Sequence, residues 1–241
     1  MRSIFLTLGI LCIFFSSCKK QEPQSEKPRI IITTDIGGDP DDQQSLVRLL
    51  LYANEFDIES LIASSSGTPG ELGIDTVKDQ LIRDYIDAYE KVLPNLREHD
   101  KEYPDASYLR EIVKRGNPQR GMQFIGAGHD TEASAHIIEV IDREDSRKIN
   151  ICIWGGQTDL AQALYHVKST RTSQEYLEFV EKMRVYDIAD QDHLYGYIKT
   201  EFPELFYVLA KAPEGMDKRE AVFRGMYLGG EESLTSGEWI N

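Results

Sequence analysis

From residue 29 onward, two apolar patterns alternate along the chain. Residues 29–33 hold three consecutive isoleucines between Pro28 and a glycine-rich loop, a run suited to a strand buried on both faces. Residues 42–53 place Leu46, Leu49, Leu50 and Ala53 at helical spacing, with Asp41 or Asp42 as N-cap. A second strand is expected over 56–63. A helix follows over 75–92, carried by Val77, Leu81, Ile82, Tyr85, Ile86 and Tyr89. Then come a shorter helix over 108–114, a strand stub over 123–125, and a helix over 131–142 capped at Asp130 or Thr131. Strands at 149–154, 183–186 and 205–209 alternate with helices at 160–166, 173–181 and 193–200. Strand followed by helix, repeated about five times, predicts an α/β fold: a mostly parallel sheet with helices on both faces. In such sheets ligands sit outside the carboxyl ends of the strands. That places the polar loops 33–42, 64–70 and 155–159 on one rim.

Residues 1–28 follow a different logic. Arg2 precedes an apolar run over 4–15, and Ser16-Ser17-Cys18 comes next. A basic start, about a dozen apolar residues and a small-residue cleavage region predict a secretory signal over 1–17. The run is shorter than the roughly 20 apolar residues of a spanning helix. Phe15-Ser16-Ser17-Cys18 resembles a bacterial lipobox, which implies lipidation of Cys18, with plain secretion or an uncleaved anchor as the alternatives. Residues 18–28 then serve as a tether. The expected place is a bacterial cell envelope, periplasmic or at the cell surface, with a lipid anchor in the membrane. The globular domain is expected over 29–241, and the residues after Gly229 stop while starting another helix, which predicts a C-terminally shortened domain.

Charge and cysteines narrow the function. A net charge of -14 excludes a nucleic-acid binder, which needs a basic face. Cys152, inside the apolar run 149–154, is expected as a buried strand thiol, and no cysteine–histidine spacing suits zinc.

The chemistry concentrates after the first strand, in Thr33-Thr34-Asp35-Ile36-Gly37-Gly38-Asp39-Pro40-Asp41-Asp42. Asp35, Asp39, Asp41 and Asp42 bring four carboxylates into one short loop. Gly37 and Gly38 let it turn and Pro40 stiffens it. Carboxylates this close repel one another unless a cation lies between them, and hard oxygen ligands suit calcium, with magnesium as the alternative. A plain acidic helix N-terminus explains Asp41 and Asp42 but not Asp35 directly after a strand.

This loop resembles the N-terminal signature of the inosine–uridine nucleoside hydrolases, in which an Asp leads a glycine loop and an Asp pair opens the first helix. Trp154-Gly155-Gly156-Gln157-Thr158-Asp159-Leu160-Ala161 is similar to that family's second turn. TTDIGGDPDDQQS, GAGHDTEASAHII and YDIADQDH look like its secreted branch described as cellulose-binding. The resemblance implies Asp35 as a metal ligand and as the base that activates water, and Asp42 as a second ligand. It also implies a Thr158 carbonyl on calcium, and Asp41 accepting from sugar hydroxyls. The loop is two residues longer than the family's, which lets Asp39 take over a role of Asp41 or Asp42. Thr33 stands where the family often has another Asp, and Thr68 or a neighbouring Ser where an Asn is common. The family's last metal-binding Asp falls in a segment beyond this sequence.

Elsewhere, His129 follows the stub and is expected on the same rim, either protonating a leaving group or contacting sugar, or else serving as a cap. Asp187, Asp190, Gln191, Asp192 and His193 form a second polar cluster, read either as substrate contacts through Asp190 and Asp192 or as a helix N-cap. Trp154 either stacks on a sugar or packs in the core. A haloacid dehalogenase-type phosphatase needs a second Asp where Gly37 stands, and a dinucleotide enzyme needs G-x-G-x-x-G after its first strand. The expected activity is metal-dependent hydrolysis of an N-glycosidic or related glycosidic bond. The alternative is a catalytically reduced binder of nucleoside or carbohydrate. The sequence is compatible with an oligomer.

Overall fold

The computed structural model of the chain describes residues 27–38, 41–66 and 76–216. The expectations for the signal, for Cys18 and the tether up to residue 26, for Asp39, Pro40 and Thr68, and for 217–241 lie outside these residues.

Six strands make one parallel sheet: β1 (Arg29–Thr34), β2 (Asp57–Ala63), β3 (Val113–Arg115), β4 (Ile149–Ile153), β5 (Met183–Ile188) and β6 (Phe206–Ala210). Among the described residues seven α-helices accompany them. These are α1 (Asp41–Leu51), α2 (Asp79–His99), α3 (Ala106–Glu111), α4 (Glu132–Asp142), α5 (Thr158–Thr170), α6 (Ser173–Glu181) and α7 (Tyr195–Glu201). None of them is long and apolar enough to cross a membrane.

The isoleucine run of β1 sets the layers. Successive side chains of a strand point to opposite faces. Ile30 and Ile32 join a core with α1, α2 and α3, while Ile31 joins one with α4, α5, α6 and α7. A strand this apolar needs cover on both sides, and it has it. Arg29 is the exception, a charged side chain only 2% exposed. Its Nε donates to Glu59 Oε1 at 2.6 Å and its Nη2 to the Val140 carbonyl at 3.2 Å, tying β1 to β2 and α4. On the exposed side of Glu59, Arg143 donates to Oε2 at 2.7 Å. Capping boxes, Thr131 with Ser134 and Thr172 with Glu175, start α4 and α6.

Three elements differ from the sequence reading. Residues 113–115 form edge strand β3 after the shorter helix α3, because Leu61 N already bonds the Ile112 carbonyl and draws the chain beside β2. Residues 122–124 are a 3-10 turn rather than a strand stub. α2 runs through Pro94 to His99, its far end held by Leu93 in the core and by Arg97 on the Tyr103 carbonyl.

The strand order is β3-β2-β1-β4-β5-β6. The chain leaves β1 toward β2 and β3, then returns to β4 on the other flank of β1. The connections from β1 and β4 therefore run to opposite flanks, and the carboxyl ends of these two strands are the switch point at which ligands of open α/β sheets bind.

Candidate functional site at the carboxyl ends of β1 and β4

Asp35 is the first residue past β1 and is 8% exposed. The β4 loop closes over it. Trp154 N donates to the Thr33 carbonyl at 2.9 Å, bringing Gly155 against the Asp35 carboxylate so closely that a Cβ there would stand 2.8 Å from Oδ2 and nearer still to Cγ. Gly156 has φ +84° and presses on the Ser64 side chain, so neither glycine leaves room for a side chain. Ser64, just past β2, donates through N and Oγ to the Thr34 carbonyl at 2.8 and 3.1 Å. Three strand ends are thus stitched together around Asp35.

Asp42, buried in the first turn of α1, is the second carboxylate of this centre. The Thr34 hydroxyl accepts from Ile36 N at 3.1 Å and donates to Asp42 Oδ2. Burial, then the neighbouring Asp35 charge, pushes Asp42 well above the usual carboxylate range. Asp41 is half-buried, and its Oδ1 accepts from Asp42 N at 3.1 Å.

Arg120, from the loop after β3, enters from the opposite side and is 8% exposed. Its Nη2 donates to Asp35 Oδ2 at 3.1 Å and to the Ser65 carbonyl at 2.6 Å. Its Nε lies 3.8 Å from Asp192 Oδ1. Asp192 in turn holds the start of α5: its Oδ2 accepts from Thr158 N at 2.8 Å and from Thr158 Oγ1 at 2.7 Å. Burial raises the Asp192 carboxyl, against the Thr158 bonds and the Arg120 charge, which lower it. The atoms of Thr158 that meet this cluster are its N–H and hydroxyl. Its carbonyl belongs to the first residue of α5, where Ala161 N already bonds the Gln157 carbonyl at 2.9 Å.

Two further acids lie beneath. Asp187 is 0% exposed, and its Oδ2 accepts from Gln157 Nε2 and Tyr207 OH, both at 2.9 Å. Burial raises it to about 7. Asp159 accepts from Asn117 N at 3.1 Å and from Thr131 Oγ1 at 2.6 Å, and burial raises it to about 6.

Of the residues singled out in the sequence, the structure gathers Asp35, Asp42, Thr158 and Asp192, with Asp41 at the half-buried edge. Asp39 lies outside the described residues. His129 packs edge-on against Phe124, ring centroids 6.3 Å apart, and Asp190 accepts from Tyr195 N at 2.9 Å at the start of α7. Trp154 packs against the core of α1, α2 and α3. Among the described residues, no group of three or more His, Cys, Asp or Glu side chains is clustered closely enough to hold a metal alone. Sequence reasoning missed Arg120. Its local segment carries no motif, and the only signal was the surplus of acids, which calls for a cation from elsewhere in the chain.

A solved structure of a nucleoside hydrolase-related hypothetical protein from Saccharophagus degradans, associated with carbohydrate metabolism, is 35% identical and superposes with a TM-score of 0.67. The match covers 79% of this chain but 46% of that one, so the chain spans about half the length of its solved relative. Comparison with curated proteins returned no match. The profile of the family described as cellulose-binding Sde182, nucleoside hydrolase-like domain, matches residues 29–241. The chain belongs to that family and has a nucleoside hydrolase-like fold.

Proposed function

We propose that the chain contributes the reaction centre of an exported hydrolase that cleaves N-glycosidic or related glycosidic bonds of a nucleoside or carbohydrate. The observation that carries this reading is the placement of Asp35. It is a buried carboxylate held at the switch point of the sheet, under a β4 loop that has no side chain at Gly155. Buried acids side by side are unfavourable for folding, so their presence in a crevice is a functional signal.

The donor chemistry fits a divalent cation. Asp35 and Asp42 are adjacent buried carboxylates whose mutual repulsion a cation would relieve, and they would supply two of the oxygens that calcium, or magnesium, requires. Such an ion, when bound, acidifies water and stabilises developing negative charge. The remaining work falls to side chains of this chain. Asp35 accepts the proton of the water that attacks the anomeric carbon, and the glycosidic bond breaks through an oxocarbenium-like state. Asp41, at the half-buried edge, accepts from sugar hydroxyls. Asp192 and Thr158 fix the β4–α5 turn from below. Attachment to the envelope would run through Cys18.

The test is hydrolysis of nucleosides and aryl glycosides by the full chain with calcium, beside Asp35→Asn. Turnover that falls by about 10³-fold or more in the variant is expected for loss of a base. Equal rates would refute the assignment. One observation favours a second reading, a binding protein of reduced activity: Arg120 already engages an Asp35 oxygen. That reading predicts saturable binding of the same compounds with no turnover by the wild type.

A further inference from the structure

We propose that Arg120 is a two-position guanidinium that competes with the divalent cation for Asp35 and steps aside onto Asp192 when the cation binds. The inference rests on the cation reading of Asp35 and Asp42 given above.

The backbone on either side of Arg120 is fixed. Gly121 N donates to Thr158 Oγ1 at 3.1 Å, and the Arg120 carbonyl accepts from Gln123 Nε2 at 3.2 Å. Only the head of the side chain has a choice of partners. Its Nη2 now sits 3.1 Å from Asp35 Oδ2. On its other side Asp192 Oδ1 is buried and accepts no hydrogen bond, while Arg120 Nε lies 3.8 Å away. A buried carboxylate oxygen without a donor is rare in a folded protein and marks a place for one. A shift of about 1 Å brings Nε to charge-assisted hydrogen-bonding distance of that oxygen.

The competition follows from charge. A guanidinium keeps its charge at any working pH, so it cannot yield to a second cation by losing a proton. A divalent ion on the Asp35 carboxylate and a guanidinium within hydrogen-bonding distance of the same oxygens repel strongly where water is excluded. The guanidinium must therefore move, and Asp192 is the acceptor within reach. Two consequences distinguish this from a static ion pair. Arg120 weakens cation binding, placing the dissociation constant toward the roughly 10⁻⁴–10⁻³ M range of extracellular calcium modules. Asp192, which does not touch the cation, strengthens its binding by receiving Arg120.

Calcium titration by calorimetry, with calcium-dependent melting as a second readout, tests both. Arg120→Met should tighten calcium binding by about tenfold or more, as expected when a nearby positive charge is removed. Arg120→Gln should do the same while keeping a donor for the Ser65 carbonyl, and it carries the test should the Met variant fold poorly. Asp192→Asn should weaken binding several-fold in the wild type and leave it unchanged beside Arg120→Met. Equal calcium affinity in wild type and both Arg120 variants overturns the competition while the cation reading stands. An Asp192→Asn effect of equal size in both backgrounds overturns the step to Asp192. No binding by any variant up to about 10 mM calcium, beyond even weak extracellular sites, refutes the cation reading itself, and the proposal with it.

Discussion

Replacing Gly155 by Ala tests whether the site is built by close approach of the β4 loop to Asp35. An ideal Cβ at position 155 stands 2.8 Å from Asp35 Oδ2, with Cγ and Oδ1 nearer still. Cγ and Oδ1 are the nearest atoms, and ordinary contact between non-bonded heavy atoms begins near 3.5 Å, so the carboxylate must retreat by roughly 1.1 Å or the loop must lift. Lifting breaks the 2.9 Å bond from Trp154 N to the Thr33 carbonyl, and retreat disturbs the 3.1 Å bond from Arg120. Overpacking of this kind costs about 1–3 kcal/mol. For a domain of this size that lowers the melting temperature by roughly 2–12 °C. Gly155 is not in the left-handed region of φ, so the alanine backbone itself is unstrained. The clash lies with one side chain, and a double-mutant cycle isolates it. In an Asp35→Ala background, Gly155→Ala should be neutral or stabilising by up to about 1 kcal/mol, through the restricted unfolded chain. Urea and thermal unfolding of the four proteins measure the coupling. A Gly155→Ala cost of equal size in both backgrounds, or below about 0.5 kcal/mol in the wild type, refutes the close-approach argument.

Two other changes probe the frame around the site. Burial raises Asp187 to about 7 and Asp159 to about 6, from an ordinary value of 3.8. The unfolded chain releases these protons near pH 4, so the stability the neutral forms allow is complete below that pH and is lost as pH rises through 6 and 7. Asp187→Asn should flatten the fall in melting temperature between pH 5 and pH 8, and an unchanged slope would count against a protonated Asp187. Glu59→Ala leaves the Arg29 guanidinium, 2% exposed, with only the more distant Asp145 carboxylate, 3.5 Å from Nε, and should cost about 2–4 kcal/mol in chemical denaturation, somewhat less than a fully broken buried pair. A cost under about 1 kcal/mol would mean that Asp145 and the Val140 carbonyl suffice.

The parts of the fold legible in the sequence are those where burial is periodic and deep. Ile30, Ile31 and Ile32 announce a strand covered on both faces, and the helix expected over 173–181 is α6. β3 was illegible because an edge strand of three residues buries only Val113, too little for a period to register. The extent of α2 was hidden by Pro94, which argues locally for a break, whereas the packing of Leu93 and Leu96 carries the helix on. In the site, Asp35 and Asp42 could be found because glycines and a strand end give them an address. Arg120 has no such address: its partners Asp35, Ser65 and Asp192 lie 85, 55 and 72 positions away, counting along the chain. Asp190 and Asp192 stand two positions apart in one polar cluster, but the left-handed backbone at Ala189, Asp190 and His193 sends them to different helices, α7 and α5.

Among the described residues, five buried aspartates and one buried arginine lie toward the carboxyl end of this sheet, and the hydrogen bonds sort them. Asp159 has both oxygens on Asn117 N and one also on Thr131, beneath the backbone of Gly116, so it ties the β3 and β4 loops together. Asp187 faces Gln157 and Tyr207 inside the β5–β6 flank, and its high proton affinity spares the fold a buried charge. Asp159 is explained by the frame alone, and so is the Oδ2 side of Asp187, whose Oδ1 is buried without a hydrogen bond. Asp42 is not: burial and the Asp35 charge act against it together, and only the Thr34 hydroxyl offsets them. Nor is Asp192, which keeps one buried oxygen without a hydrogen bond beside the Arg120 guanidinium. A sequence selected for stability alone would relieve such positions by neutral substitution, since replacing buried charge with packed apolar groups is often stabilising. Asp35, Asp42, Asp192 and Arg120 are therefore the quartet where a ligand's own charge or hydroxyls would be most strongly felt.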